Sequence, residues 1–226
     1  MPLKEQRLTP SLQVALDLLN LKDALKIASQ VAPYVDILEA GTPLIKSEGI
    51  IAVRTLKQTY PDKLVCADLK IADAGYLEVR MAAKSGADIV TVLADAYNIT
   101  IKETLRAADE FKIDIMADLI MSRRPKKRLE EIKTINFYDK KLSHALVHSG
   151  LDRQESRQSP LSELESVASV QNRPELALAG GIQLKDIPKI LNFPLNIIIV
   201  GGAITKAEEP GLIAKKFKAA INRKNI

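Results

Sequence analysis

Residues 64–73 have the sequence LVCADLKIAD, in which a short apolar run gives way to two aspartates and a lysine. The run has the length of a strand that is buried on both faces. The chain has eight such apolar runs, at positions 12–16, 35–38, 64–67, 88–93, 113–117, 144–147, 176–179 and 197–200. Most of the gaps between them have the apolar spacing of amphipathic helices. Strand and helix therefore alternate, and this order predicts βαβ units with a parallel sheet.

The number of these units decides between two α/β architectures. Eight strands with intervening helices favour closure into a (β/α)8 TIM barrel, and 226 residues are within the size range of one such domain. The alternative is an open doubly wound sheet, which usually has a glycine-rich turn after its first strand. Here residues 17–20, DLLN, follow the first run instead. No linker divides the chain, so we expect residues 1–226 to form a single barrel domain.

Composition and charge exclude several classes of protein. The net charge of +5 comes largely from residues 123–128 and 215–224, but aromatic residues are only 4% of the chain. Without stacking platforms, these patches predict solvated surfaces rather than nucleic-acid binding. The longest apolar stretch, 195–200, is too short to cross a bilayer, and residues 1–7 contain no signal-peptide core. We therefore expect a cytoplasmic protein that does not bind membranes, in which the single cysteine, Cys66, is a buried apolar residue.

Charged side chains end five of the eight predicted strands. They are Asp17, Glu39, Asp68, Asp118 and His148. In a (β/α)8 barrel the carboxyl ends of all strands meet at one mouth, so these residues are expected to share a pocket. Carboxylates in one pocket repel each other unless a cation lies between them. The pattern therefore predicts a metal ion, a lysine, or both at the mouth of the barrel.

The segment around Asp68 is the sharpest of these motifs. Side chains alternate along a strand, so Asp68 and Lys70 should project to the same side, with Asp73 in the loop that follows. This acid, base and acid set predicts a catalytic cluster, although a salt-bridge network that only neutralises the pocket is the alternative. A Schiff-base lysine would need a neutral amine, whereas the flanking carboxylates favour a charged one.

Two carboxylates on neighbouring strands suit a hard cation. Glu39 and Asp68 are candidate Mg²⁺ ligands, since two oxygen ligands leave positions open for substrate oxygens. Either could instead be an ion-paired or capping acid, and Asp17 and Asp118 could cap the helices that follow them. At the mouth, His148 is the candidate acid or base.

Two glycine pairs follow the last two predicted strands, Gly180 with Gly181 and Gly201 with Gly202. In many barrels this is where backbone N–H groups bind a phosphate, because glycine allows the ligand to approach closely. The alternative is a pair of tight turns without a ligand. The two pairs together favour a phosphorylated substrate.

The chain resembles the 3-hexulose-6-phosphate synthase family, in the suprafamily that also contains orotidine 5′-phosphate decarboxylase and 3-keto-gulonate-6-phosphate decarboxylase. The resemblance covers nearly the whole chain and lies in residues 12–17, 39–43, 47–49, 68–75, 91–93, 148–154 and both glycine pairs. The keto-gulonate decarboxylases have an arginine where Leu151 stands here, and this difference favours the synthases.

The resemblance implies a barrel of the ribulose-phosphate-binding type and a Mg²⁺-dependent aldol reaction. Formaldehyde and ribulose 5-phosphate would be joined through an enediolate, or the hexulose phosphate cleaved in reverse. Lys70 would stabilise oxygen charge and His148 would carry the proton, while Asp17 and Asp73 would position Lys70 and the substrate hydroxyls. The family is dimeric, and the aspartate that matches Asp73 reaches the neighbouring subunit's site. A decarboxylase of the same suprafamily and a non-catalytic phosphosugar-binding barrel remain the alternatives.

Overall fold

The structure is a computed structural model that describes residues 9–150 and 161–222. Eight parallel strands close into a barrel, which confirms the predicted (β/α)8 TIM fold. The barrel strands are β1 Ser11–Leu16, β2 Ile37–Ala40, β3 Leu64–Ile71, β4 Ile89–Leu93, β5 Asp114–Asp118, β6 His144–His148, β7 Glu175–Ala179 and β8 Leu195–Val200. Each strand pairs with its sequence neighbours, and β8 pairs with β1 to close the sheet.

Helices follow the strands and cover the outside of the barrel. They are α1 Leu21–Val31, α2 Thr42–Glu48, α3 Ile51–Thr59, α4 Gly75–Lys84, α5 Asn98–Phe111, α6 Pro125–Ile132, α7 Leu161–Ala168, α8 Ile187–Ile190, α9 Gly202–Thr205 and α10 Pro210–Asn222. Two 3₁₀ turns, Ala32–Tyr34 and Leu184–Asp186, and a small hairpin of Asn136–Phe137 with Lys140–Lys141 complete the described elements. In residues 9–150 and 161–222, no helix is long and apolar enough to cross a bilayer.

The strands bury two different faces. Their outward residues pack against the helices in a large apolar core that contains Leu12, Leu38, Val65 and Val90. Their inward residues fill the barrel with a second, smaller apolar cluster that includes Cys66, Met116 and Leu146. Cys66 is fully buried, as expected, and burial raises the pKa of its thiol well above the usual value. It is therefore a packing residue and not a nucleophile.

The period of two along each strand places the polar residues at one end of the barrel. Ala15, Ile37, Cys66, Met116 and Leu146 point into the interior. The residue two positions later on each strand points the same way but lies at the carboxyl end. These later residues are Asp17, Glu39, Asp68, Asp118 and His148. The apolar layer below them forms the floor on which the charged layer rests.

Candidate active site

A cavity of about 530 Å³ opens at the carboxyl ends of the strands. Nine of the ten site residues expected from the sequence line it, namely Asp17, Glu39, Asp68, Lys70, His148, Gly180, Gly181, Gly201 and Gly202. Asp73 does not line the cavity and is exposed in the turn before α4. Strand ends that are distant in sequence therefore meet, as a closed parallel barrel requires.

Asp68 is held at the mouth by neighbours on both sides. The hydroxyl of Thr91, on β4, donates a hydrogen bond of 2.8 Å to Asp68 Oδ1. The hydroxyl of Thr42, at the start of α2, lies 2.8 Å from Asp68 Oδ2, which also receives the Lys70 ammonium at 2.6 Å. Only 5% of Asp68 is exposed. A buried carboxylate with this many donors has a fixed orientation.

Lys70 is placed by an irregularity in β3. The pairing of β3 with β4 shifts register between Ala67 and Ile71, and Lys70 has a φ of 48°, in the left-handed region. The Lys70 N–H donates to the Thr91 hydroxyl at 2.9 Å instead of to a ladder carbonyl. A left-handed non-glycine residue costs about 1–2 kcal/mol. The bulge aims the Lys70 side chain into the cavity, so strain is present where a functional side chain is positioned.

Asp118 connects the lysine to the histidine. It is fully buried, and its Oδ2 lies 3.3 Å from Lys70 Nζ and 2.9 Å from His148 Nδ1. Its Oδ1 accepts the Ile120 N–H at 2.9 Å. The sequence placed Asp118 at a strand end but did not identify it as a site residue, because a local cap was an equally good explanation there. The structure shows that it bridges two catalytic candidates.

The charged groups around Lys70 and Asp118 determine whether each of these two side chains is protonated. Burial by itself would lower the pKa of Lys70, but the Asp68 and Asp118 carboxylates outweigh burial and raise that pKa. Burial likewise favours a neutral Asp118, whereas His148 and Lys70 together lower its pKa. Lys70 is thus a stable cation and Asp118 a stable anion at neutral pH. A charged Lys70 disfavours the Schiff-base alternative.

The ionised state of Asp118 also determines the tautomer of His148. A carboxylate can only accept hydrogen bonds, so His148 Nδ1 must carry the hydrogen that it shares with Asp118. In a neutral imidazole the other nitrogen, Nε2, is then free to take a proton. The second histidine, His144, lies at the buried start of β6, with its Nε2 3.4 Å from Glu175, and therefore belongs to the fold.

Two further carboxylates face the same cavity without sharing the lysine network. Glu39 is buried and accepts a hydrogen bond from the Gln13 side-chain amide. Burial, followed by the negative charges of Asp68 and Asp17, raises the pKa of Glu39 well above its usual value. Burial and then Asp68 also raise the pKa of Asp17. The cavity therefore holds more negative than positive charge, and a cation would relieve the repulsion.

The donor set fits a partly open Mg²⁺ site better than a complete protein cage. In the described part of the chain, no group of three or more His, Cys, Asp or Glu is arranged to hold a metal ion. Glu39 and Asp68 provide hard oxygen donors that Mg²⁺ prefers, and this ion commonly keeps only one or two carboxylate ligands alongside substrate and water. The remaining positions would have to come from outside the protein.

The space around the glycines of the cavity differs from one position to the next. A Cβ on Gly180 would lie 2.2 Å from the Ser149 carbonyl oxygen, and the φ of Gly180 is 106°, so β6 and β7 can approach only with glycine there. A Cβ on Gly201 would meet nothing closer than 3.7 Å. Outside both pairs, a Cβ on Gly41 would lie 2.1 Å from Asp17 Oδ1, and Gly41 thus makes room for that carboxylate.

One residue of the mouth lies beyond the sequence expectations. Lys206, which follows α9, lines the cavity although no strand-end rule pointed to it. Leu151 to Gln154, part of the histidine motif, lie outside the described residues.

Comparison with known proteins gives the relationships of this chain. The model of the "Orotidine 5'-phosphate decarboxylase / HUMPS family" matches residues 10–217. A 3-hexulose-6-phosphate synthase of Bacillus subtilis (strain 168) is 36% identical over 93% of this chain and 98% of its own length. The crystal structure of 3-hexulose-6-phosphate synthase from Salmonella typhimurium has a TM-score of 0.90 at 33% identity, covering 94% of this chain and 99% of that one.

The structure of another enzyme is also similar to that of this chain. A crystal structure of KGPDC from Streptococcus mutans has a TM-score of 0.86 at 28% identity and covers 96% of this chain and 99% of that one. The family model spans most of the chain, and the relatives match it over nearly their whole length. This chain therefore belongs to the orotidine 5′-phosphate decarboxylase / HUMPS family.

Proposed function

We propose that this protein is a lyase that joins formaldehyde to ribulose 5-phosphate, giving 3-hexulose 6-phosphate, and that catalyses the reverse cleavage. The observation that carries the proposal is the chain of contacts from Asp68 through Lys70 and Asp118 to His148, at the floor of a cavity that both glycine pairs line. Relatives 36–39% identical over most of the chain are 3-hexulose-6-phosphate synthases. The site provides a proton acceptor and a fixed cation, which this reaction needs.

The first chemical step is removal of a proton from carbon one of ribulose 5-phosphate. His148 takes this proton on Nε2 while Asp118 holds its Nδ1–H at 2.9 Å. The negative charge that develops on the substrate oxygens is stabilised by Lys70, which its two carboxylate partners keep protonated. Carbon one then attacks the formaldehyde carbon, and the former aldehyde oxygen receives a proton to complete the hydroxymethyl group.

The other expected site residues bind or orient the substrate. Glu39 and Asp68 would hold Mg²⁺, which supplies a Lewis acid for the two substrate oxygens next to the reacting carbon. Asp17 lies at the same mouth and positions Lys70 and the substrate hydroxyls. The backbone at Gly180, Gly181, Gly201 and Gly202 binds the phosphate.

A homodimer is part of this proposal, because Asp73 is exposed and does not line its own cavity. Asp73 is exposed directly before α4, and the exposed apolar side chains Leu77 and Met81 follow on that helix. Next to α4, Tyr97 and Ile99 at the start of α5 are 81% and 64% exposed. Several large apolar side chains together on a surface are typical of a protein interface. A second copy on this face would bring Asp73 towards the neighbouring cavity.

The dimer is tested by sedimentation. Tyr97→Lys places a charge at the centre of this face and is expected to shift the protein towards monomer. Leu212→Lys on α10, where Leu212 is 43% exposed, is the matched control and should leave the mass unchanged. A wild-type protein that sediments as a monomer at micromolar concentration would contradict the homodimer.

A decarboxylase is the second candidate, because KGPDC has nearly the same backbone at a TM-score of 0.86. Two experiments separate the possibilities: ribulose 5-phosphate is incubated with the protein in deuterium oxide and followed by NMR, and carbon dioxide release is assayed with a keto-sugar acid phosphate. The aldolase exchanges the carbon-one proton, and EDTA abolishes the exchange. A barrel that only binds phosphosugars exchanges nothing. Carbon dioxide release from a keto-sugar acid phosphate, with no reaction of formaldehyde, would indicate the decarboxylase.

The cellular location stays a prediction from the sequence. We propose that the protein works in the cytoplasm, in contact with small phosphorylated metabolites. Fractionation of cells that express the chain at its natural level would test the location, and recovery of most of the protein with membranes would contradict it.

A further inference from the structure

The positive charge at the mouth of the barrel is divided unequally between two lysines. Among the described residues, the lysines that line the cavity are Lys70 and Lys206. Lys70 contacts two carboxylates, Asp68 at 2.6 Å and Asp118 at 3.3 Å, and these contacts hold its ammonium group among the catalytic residues. A sugar phosphate carries up to two negative charges, and backbone N–H groups alone offer only partial charges. The charge of Lys206 remains available for the ligand.

Lys206 is placed beside the second glycine pair by the short helix α9. Its N–H donates to the Gly202 carbonyl at 3.1 Å, which closes the turn of the chain after β8. Its Cδ and Cε lie 3.6 and 3.7 Å from the point where a Cβ on Gly202 would stand. The aliphatic part of Lys206 therefore runs past Gly202, and this exposed residue lines the cavity at its rim.

The charge of Lys206 also acts on Asp17, which lines the same cavity. Although burial raises the pKa of Asp17 overall, the positive charges of Lys70 and Lys206 oppose that rise. Asp17 and Gly201 are neighbours, since a Cβ on Gly201 would lie 3.7 Å from Asp17 Oδ2. An anion next to the second glycine pair would therefore lie within the field of Lys206.

We propose that Lys206 binds the substrate phosphate and is the residue that selects phosphorylated over unphosphorylated sugars. The proposal rests on the function given above, since it assigns a substrate group to one end of the same cavity. The glycine pairs shape the phosphate position, and Lys206 supplies the full charge that glycine lacks. Such a lysine acts on binding and leaves the chemistry at Lys70 and His148 untouched.

Binding of inorganic phosphate tests the proposal directly and does not depend on turnover. Lys206→Met keeps the length of the side chain and removes the charge, and Lys206→Arg restores the charge. Lys216→Met on α10, an exposed lysine away from the cavity, is the matched control. Calorimetry with phosphate alone should show a Kd about tenfold higher for Lys206→Met, and values near wild type for the other two variants.

Kinetics with ribulose 5-phosphate and formaldehyde provide the second measurement. Lys206→Met should raise the KM for ribulose 5-phosphate about tenfold while kcat changes less than twofold, which is the pattern of lost uniform binding. Phosphate affinity equal to that of Lys216→Met would overturn the proposal, as would a fall in kcat with an unchanged KM. Absence of turnover in the wild type would instead refute the proposed function, and the phosphate titration would still decide the role of Lys206.

Discussion

Asp118→Asn tests whether the contact between Asp118 and His148 serves catalysis. Asp118 Oδ2 forms an ion pair with Lys70 and accepts a hydrogen bond from His148, and its Oδ1 accepts from the Ile120 N–H. An amide has one accepting oxygen and one donating nitrogen. With its oxygen towards His148, asparagine would turn its NH₂ group against the Ile120 N–H. With the opposite orientation, the NH₂ group would face two donors, Lys70 and His148.

The size of the effect follows from this mismatch. One buried donor without an acceptor costs about 1–3 kcal/mol of stability, and each kcal/mol lowers the Tm of a chain of this length by about 2–4 °C. The effect on rate should be larger, because loss of the acceptor at Nδ1 also changes the tautomer of His148. In hydrolase triads the equivalent change lowers kcat by about 10⁴. Here one amide orientation keeps an acceptor at Nδ1, so we expect a fall in kcat of about 10²–10³.

Asp88→Asn is the matched control for this prediction. Asp88 Oδ2 also accepts from a lysine, Lys57 at 2.9 Å, and from a backbone N–H, that of Val65 at 2.7 Å. It lies directly before β4, at the opposite end of the barrel from the cavity. The control should lower Tm and leave kcat within about twofold. Steady-state kinetics and thermal melts of both variants are the assay. A kcat for Asp118→Asn within threefold of wild type would refute the catalytic role of this contact.

Glu39, Gly180 and Asp73 allow three further tests. The pKa of Glu39 is raised, so the folded protein binds the Glu39 proton more tightly than the unfolded chain does. The protein therefore loses stability as the pH rises from the usual carboxyl pKa to the raised one. Glu39→Gln should raise the Tm of the metal-free protein at pH 7, and Mg²⁺ should stabilise only the wild type. Gly180→Ala should cost roughly 2 kcal/mol or more in chemical denaturation, because the new Cβ meets the Ser149 carbonyl at 2.2 Å, whereas Gly201→Ala should keep the wild-type stability. Mixed dimers of Asp73→Ala and His148→Ala should recover up to about a quarter of the wild-type activity, because half of the dimers then contain one intact site; activity no higher than that of the separate variants would contradict a shared site.

Many residues at the mouth could be predicted from the sequence, because the carboxyl ends of all strands of a (β/α)8 barrel meet at one face. The rule that a strand ends where apolar residues give way to charge predicted Asp17, Glu39, Asp68 and His148, and all four line the cavity. It succeeded because side chains two positions apart on a strand share a face, and the residues two positions earlier are the apolar ones inside the barrel. The fold was predictable for the same reason.

The parts that were missed depend on contacts between distant segments. The bridge made by Asp118 requires Lys70 of β3 and His148 of β6 to reach its strand end, and no local pattern distinguishes it from a helix cap. The left-handed backbone of Lys70 follows from a register shift against β4, which a run of alternating residues does not reveal. The rim position of Lys206 depends on one turn of α9, and the clearance at Gly41 depends on Asp17. Such features follow from packing, not from spacing in the sequence.

Formation of a carbon–carbon bond is the most direct test of the proposed aldol reaction. The purified chain, with Mg²⁺ and ribulose 5-phosphate, is given formaldehyde labelled with carbon-13, and the label is followed by NMR. We expect the label to appear in the hydroxymethyl carbon of 3-hexulose 6-phosphate, and Lys70→Ala to lower the rate by at least about 10². If ribulose 5-phosphate binds in the cavity while the label stays in free formaldehyde, the cluster of Asp68, Lys70, Asp118 and His148 does not perform the aldol reaction.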